Sequence, residues 1–163
     1  DYVAPSLDTT ILASAQLLWS LASTPGAYDA LRDTPDLSGS AVNEAVRLAS
    51  PIRGFSRYAQ TDYDTEDGSV PAGSRVLVLY ASANWDERHF VEPDTFQVDR
   101  NPRDHVGWGH GVHTCAGMHL ARAEMLALLK AMTRHVDRLD VSNAEPIMNN
   151  VLQGFASFDA TFH

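Results

Sequence analysis

The sequence lacks the features of proteins that cross membranes or bind nucleic acids. No apolar run approaches the roughly 20 residues that span a bilayer, and the first residues lack the basic, apolar and small-residue zones of a signal peptide. Lys and Arg form no block, and the formal net charge is -9. These absences exclude nucleic acid as the main partner and predict no membrane segment in residues 1–163.

Cysteine is almost absent as well, since Cys115 is the single one in the chain. A lone cysteine cannot form an internal disulfide. It is therefore a buried inert thiol, a reactive thiolate or a metal ligand, and composition alone does not choose among the three.

The length of the chain favours one structural unit. With 163 residues and 44% hydrophobic content, it can form one core but is too short for two domains. Asp1 stands where an initiator methionine would be, and helical periodicity begins almost at once. We therefore predict a single partial domain over residues 1–163, a fragment of a longer protein.

Four segments have helical periodicity. They run from Leu7 to Thr24, through Tyr28 and Leu31, over residues 41–48, and from just after Cys115 to near His135. Prolines at positions 25, 35 and 51 separate the first three segments, and Ser40 stands where an N-cap of the third is expected. Helix is thus the main predicted element.

Strand-like patterns are shorter. Residues 76–80 alternate in the manner of a strand beyond the turn sequences Asp67-Gly68 and Pro71-Ala72-Gly73, and the tail after Val136 resembles short strands. Residues 83–111 have little periodicity but several aromatic anchors, which indicates an ordered irregular segment. The predicted fold class is mainly α with small β-sheets (α+β).

The most informative segment is residues 108–117, Trp-Gly-His-Gly-Val-His-Thr-Cys-Ala-Gly, which we call the cysteine loop. A thiolate just before a helix is stabilised by the helix dipole and by unpaired backbone N–H groups. Glycines at 109, 111 and 117 would let the backbone lie against a flat group. The pattern favours a soft anionic metal ligand beside something planar.

Two other interpretations of the cysteine stay open at this point. A free buried cysteine is the ordinary state of a lone cysteine. A zinc site is the other, because several histidines stand near Cys115 in the sequence, namely His105, His110, His113 and His119. Zinc sites, however, favour short paired ligand spacings that this segment does not reproduce.

The cysteine loop resembles the ligand loop of cytochromes P450. The resemblance covers an aromatic residue, Gly-x-Gly, a basic residue, Cys and Gly, with Trp108 where phenylalanine is usual and His113 at the basic position. It implies haem b, with Cys115 as the iron ligand and Trp108, Gly109, His113 and Gly117 at the cofactor. In that family the thiolate pushes electron density to the iron and favours O–O cleavage.

Further motifs extend the resemblance to the scaffold behind the loop. Glu44 and Arg47, three apart on a helix, resemble the family's Glu-x-x-Arg, and Pro93-Asp94-Thr95-Phe96 with Arg100 resembles its meander segment. The resemblance implies that Glu44, Arg47 and Arg100 form a buried network that holds the loop and takes no part in catalysis.

Two more sites would contact the cofactor or oxygen. Arg57 matches the arginine that reaches a haem propionate, for which Arg53 is a weaker candidate. Asp8 and Thr9 resemble the acid and threonine that relay protons to dioxygen. Ser6 replaces the usual glycine there, and Pro5 removes a backbone donor and is expected to disturb the helix.

The implied parent protein is a soluble, cytoplasmic monooxygenase of bacterial type. It would insert one atom of O2 into a small apolar organic substrate, with electrons from NAD(P)H through a ferredoxin-type partner. The resemblance covers only the C-terminal part of the family fold. The alternatives are a truncated inactive fragment that self-associates through uncovered apolar surface, and a zinc-binding module.

Overall fold

The computed structural model describes residues 3–163, with side chains from residue 5 onward, so Asp1 and Tyr2 of the predicted domain lie outside the described residues. The helices are α1 (Val3–Ser23), α2 (Ala27–Asp33), α3 (Ser38–Ala49), α4 (Tyr80–Asn84) and α5 (Met118–His135). Short 3-10 turns cover Pro35–Leu37 and Gly111–His113. The predicted long helices and their breakers at Pro25, Pro35 and Pro51 are therefore present.

The described strands form three separate two-stranded antiparallel sheets. In the first, β1 (Phe55–Tyr58) pairs with β4 (Arg75–Val78), with Arg57 opposite Val76. In the second, β2 (Tyr63–Thr65) pairs with β3 (Gly68–Val70), and in the third β5 (Leu139–Pro146) pairs with β6 (Phe155–Phe162). The predicted class, mainly helical with small sheets, is confirmed.

The core lies between the long helices α1, α3 and α5. Its fully buried apolar side chains come from these helices and from α2: Leu17, Leu21, Leu31, Val42, Ala45, Met125 and Leu129. On α1 the core residues Ala13, Leu17 and Leu21 recur every four positions, which is the apolar stripe expected of a helix packed on one side. No helix within residues 3–163 is long and apolar enough to cross a membrane.

Two local predictions were wrong. Ser40 is not an N-cap, because α3 begins at Ser38 and the Ser40 hydroxyl accepts the Asn101 N–H at 2.9 Å. The predicted strand over 76–80 ends at Val78, and Tyr80 begins α4. Pro5 lies within α1, and its nitrogen has no hydrogen to donate.

Candidate functional site

A cavity of about 660 Å³ opens beside the cysteine loop. Its walls come from the first turns of α1, the end of α3, the segment after Pro51, β1, α4 and the cysteine loop. Most of the lining is apolar, including Ala13, Val46, Ile52 and Leu152. The charged or polar side chains of the lining are few: Asp8, Thr9, Thr10, Arg57, Tyr80, His113 and Cys115.

Cys115 is exposed and lines this cavity, three positions before α5 begins. Its N–H donates to the Trp108 carbonyl at 2.7 Å, which closes the loop on itself, and its carbonyl accepts the Met118 N–H at 3.3 Å. The Thr114 hydroxyl adds a bond to the Gly111 carbonyl at 2.8 Å. The loop therefore presents the thiol from a backbone that is hydrogen-bonded internally.

The loop glycines have different roles. Gly109 has φ +72°, and a Cβ there would lie 2.5 Å from the His113 carbonyl oxygen, so no other residue fits without displacing the loop. Gly111 has φ +61° but open space around it. Gly117 has φ −89°, and a Cβ there would meet Cys115 Sγ at 3.9 Å, an ordinary contact. The backbone thus requires glycine at 109 and does not require it at 117.

Trp108 lines the cavity and also packs against the core. Its Nε1 is buried and donates to no acceptor in residues 3–163. A buried N–H without an acceptor is costly. Within the described residues the indole is therefore held by its apolar contacts with the core.

Asp8 and Thr9 reach the same cavity from the start of α1, together with Pro5 and Thr10. The Thr9 hydroxyl donates to the Pro5 carbonyl at 2.9 Å. Because its proton is used in this bond, the oxygen is left with lone pairs that can accept. The structure thus brings the predicted oxygen-activation residues and Cys115 to one cavity.

Arg57 lines the cavity from β1, and His113 lines it from the cysteine loop. The Arg57 guanidinium donates to the Ser56 carbonyl at 3.0 Å and to the Tyr80 hydroxyl at 3.1 Å. Within the described residues no carboxylate forms an ion pair with it. Arg53, the weaker candidate, does not appear in the cavity lining.

Glu44, Arg47 and Arg100 form a continuous ionic network. Arg47 Nε lies 2.8 Å from Glu44 Oε2, and Arg100 Nε lies 2.9 Å from Glu44 Oε1, while both side chains of the Glu44–Arg47 pair are fully buried. Arg47 Nη1 also donates to the Asn84 and Pro93 carbonyls, each at 2.7 Å. A charged pair withdrawn from water in this way is stable only when its other donors and acceptors are satisfied.

Asn84 connects this network to the cysteine loop, and sequence reasoning did not identify it. Its carbonyl accepts from Arg47, its Nδ2 donates to the Ser50 hydroxyl at 2.9 Å, and its Oδ1 accepts the Val106 N–H at 2.8 Å. Val106 lies two residues before Trp108. The sequence holds no signal for this role beyond an asparagine in an apolar setting, because the three contacts are distant along the chain.

His105 is the second residue missed as a support of the loop. It is buried, and its Nδ1 accepts the Gly107 N–H at 3.1 Å. Burial, with the nearby charges of Arg47 and Arg122, lowers the pKa of His105 to about 4, although Asp104 and Glu44 act in the opposite direction. The imidazole is therefore neutral at pH 7, with Nδ1 as the acceptor and Nε2 carrying the proton.

The histidines near Cys115 in sequence do not converge on it. Among residues 3–163, no group of three or more His, Cys, Asp or Glu side chains is placed to hold a metal ion. His105 instead accepts a hydrogen bond from the backbone. The arrangement gives the zinc alternative no ligand set.

Comparison with protein families gives a match to the cytochrome P450 model over residues 28–157. The two relatives with curated descriptions named here are bacterial. A beta-dihydromenaquinone-9 omega-hydroxylase of Mycobacterium tuberculosis is 38% identical over 82% of this chain and 27% of its own length. A putative cytochrome P450, YjiB of Bacillus subtilis, is 35% identical over 93% of this chain and 38% of its own.

Solved structures have the same fold. CYP108D1 from Novosphingobium aromaticivorans superimposes with a TM-score of 0.89 at 33% identity, over 96% of this chain and 38% of that one. CYP109B1 from Bacillus subtilis gives 0.88 at 34% identity, over 95% and 43%. The chain thus spans less than half the length of these relatives, and it belongs to the cytochrome P450 family.

Proposed function

We propose that this chain is the haem-binding part of a haem-thiolate monooxygenase in which Cys115 is the proximal iron ligand. One observation carries the proposal: the thiol of Cys115 is exposed in an apolar cavity whose polar lining includes Asp8 and Thr9 from α1 and Arg57 and His113 from other elements. A thiolate ligand, a distal proton relay and cationic groups for an anionic cofactor are what this chemistry requires.

The residues present fit haem b. The thiolate is a soft ligand that suits iron, and the loop that carries it closes so tightly at Gly109 that a side chain would collide with the His113 carbonyl. Arg57, which has no carboxylate partner among the described residues, matches a propionate through charge-assisted hydrogen bonds. Cys115, Trp108, Gly109, His113 and Arg57 would hold the group, with Gly117 just behind the ligand.

Haem, when bound, supplies the oxygen chemistry, and the chain orients and protects it. The Thr9 oxygen, whose proton is held by the Pro5 carbonyl, offers acceptor lone pairs in the cavity. The Asp8 carboxylate lies one residue away on the same cavity wall and exchanges protons there. The Glu44–Arg47–Arg100 network acts only through the position of the loop.

The substrate and electron supply form the finer part of the proposal. Relatives carry names that mention a dihydromenaquinone, a steroid and linalool. The apolar lining favours a small apolar organic substrate that reacts with O2. Electrons would come from NAD(P)H through a ferredoxin-type partner, in the cytoplasm.

A second candidate is that these residues alone have no turnover and associate with themselves. It is favoured by exposed apolar side chains on α1, where Leu7 is 54% and Ile11 61% exposed. It also accords with the chain spanning 27% to 43% of the length of the relatives described above. Sedimentation of the haem-loaded chain separates the monomer from an associated form.

The test of haem ligation is spectroscopic. Haemin is added to the purified chain, reduced under carbon monoxide, and the visible spectrum is compared with that of Cys115→Ser. We expect a strongly red-shifted Soret band that disappears in the variant, because only a thiolate gives that shift. Absence of haem uptake, or a histidine-type spectrum unaffected by the substitution, would contradict the proposal.

A further inference from the structure

One corner of the cavity, formed by Arg57 and Tyr80, is built for an anion that the described residues do not supply. Arg57 lies on β1 and Tyr80 is the first residue of α4, and both line the cavity. The guanidinium is partly buried, and no carboxylate within residues 5–163 pairs with it, although the chain carries a net charge of -9. Asp8 lines the cavity without pairing with Arg57. A positive charge on an apolar wall is costly without a partner, and an anion bound beside it would offset that cost.

The direction of the hydrogen bond between these residues frees a second donor. Arg57 Nη2 lies 3.1 Å from the Tyr80 hydroxyl oxygen. Arginine only donates, so the phenol accepts and its own proton is available to another acceptor. The guanidinium also has N–H donors beyond its bonds to Ser56 and Tyr80. The corner therefore offers an anion the hydroxyl donor of Tyr80 and the remaining N–H donors of Arg57.

Packing fixes the corner before any ligand arrives. The Phe55 ring stands edge-on to the Tyr80 ring, with centroids 6.3 Å apart and an interplanar angle of 82°. The Arg57 guanidinium carbon lies 5.9 Å from the centre of the same Phe55 ring. At its other end α4 is tied to the buried network through Asn84. Donors held in place in this way lose little conformational entropy when an anion binds.

We propose that the Tyr80 hydroxyl donates directly to a haem propionate and shares that carboxylate with Arg57. The inference rests on the proposed function, since it adds one binding residue to the haem site and assigns the corner to the cofactor. The same chemistry would also suit the carboxylate of an acidic substrate. The haem is favoured because His113 of the cysteine loop and Cys115 line the same cavity.

The experiment compares haem release from the haem-loaded chain and from Tyr80→Phe, measured as transfer to apomyoglobin. Tyr63→Phe is the matched control, because Tyr63 is 66% exposed and lies outside the cavity. We expect release from Tyr80→Phe to be faster by about tenfold, the effect of one charge-assisted hydrogen bond, and release from Tyr63→Phe to be unchanged. Release from Tyr80→Phe at the parent rate would overturn the inference.

A second arm identifies which carboxylate is bound. The same chains are loaded with haem dimethyl ester, whose ester carbonyls are uncharged and accept only weaker hydrogen bonds, and the difference between the unsubstituted chain and Tyr80→Phe should fall well below that seen with haem. If the difference is as large with the ester as with haem, the hydroxyl does not act on the propionate charge and the inference fails. If haem release is unaffected but decanoate binding to the haem-loaded chain is weakened, the corner belongs to the substrate and the inference also fails.

Failure of the underlying function would look different. The chain without any tyrosine substitution would then take up no haem, or would take up haem with a spectrum that Cys115→Ser does not alter. In that case both proposals are overturned. When the parent shows thiolate ligation, the release rates test Tyr80 alone.

Discussion

Two arginines near the cysteine loop are satisfied in opposite ways. Arg47 is fully buried and bonds Glu44 and two backbone carbonyls. Arg57 lies on the cavity wall and bonds one carbonyl and one phenol, with no carboxylate beside it among the described residues. The charge of Arg47 is neutralised within the chain, whereas the charge of Arg57 would be neutralised only by a bound ligand. Structural and binding arginines can thus be told apart by whether their charge is already neutralised.

The largest expected effect is the loss of the buried carboxylate. In Glu44→Gln, Arg47 keeps its position but its charge is left without a counter-ion, so the free energy of unfolding should fall by about 3–5 kcal/mol. The matched variant Arg57→Gln should change it much less, because that charge has no carboxylate partner within the described residues to lose. Urea unfolding of both variants measures the difference. Equal losses would remove the distinction between the two arginines.

The second effect is a dependence of stability on pH through His105. The pKa of His105 in the folded chain is about 4, below the ordinary histidine value of 6.5, so between these pH values the unfolded chain binds a proton that the folded chain does not. The neutral side chain contributes roughly 3 kcal/mol to the free energy of unfolding. This contribution is complete above pH 6.5 and is lost as the pH falls towards 4.

Unfolding measured from pH 7 to pH 4 checks this sign. The His105→Gln variant, whose amide oxygen can still accept the Gly107 N–H, should lose that part of the slope. A slope that is the same in both proteins would show that other groups govern acid unfolding.

The third effect concerns the connection between the network and the loop. Asn84→Ala removes the amide that donates to the Ser50 hydroxyl and accepts the Val106 N–H. The free energy of unfolding should fall by about 1–3 kcal/mol because a backbone N–H loses its partner. Hydrogen exchange of the Val106 amide should accelerate as well. Asn150→Ala, at an exposed position, is the control and should alter neither quantity. Unchanged exchange at Val106 would show that the loop is held by other contacts.

The smallest expected change in stability concerns Gly109, in the cysteine loop beside the cavity. In Gly109→Ala, a left-handed backbone at φ +72° and the close His113 carbonyl should cost about 1–2 kcal/mol and weaken haem uptake. In Gly39→Ala, within α3 and with nothing near the added Cβ, stability should instead rise by about 0.5–1 kcal/mol. Thermal unfolding of the two variants gives both signs, and a loss in Gly39→Ala would contradict the helix argument.

The sequence by itself determined the long helices, their breakers and the cysteine loop, because these depend on periodicity and on residues adjacent in the chain. It also singled out Asp8, Thr9, Arg57 and Cys115, which the fold then brings to one cavity. It did not find the start of α3, where the 3-10 turn Pro35–Leu37 runs directly into the helix, or the end of β4, which α4 follows after one residue.

Only the tertiary structure decided how the loop is held and which donors surround the cavity. Asn84 contacts Arg47, Ser50 and Val106, which lie 37, 34 and 22 positions from it, and Tyr80 contacts Arg57 across 23 positions. His105 became a neutral acceptor because the fold buries it beside two arginines. Burial and long-range contact set these properties, and neither is written in local residue patterns.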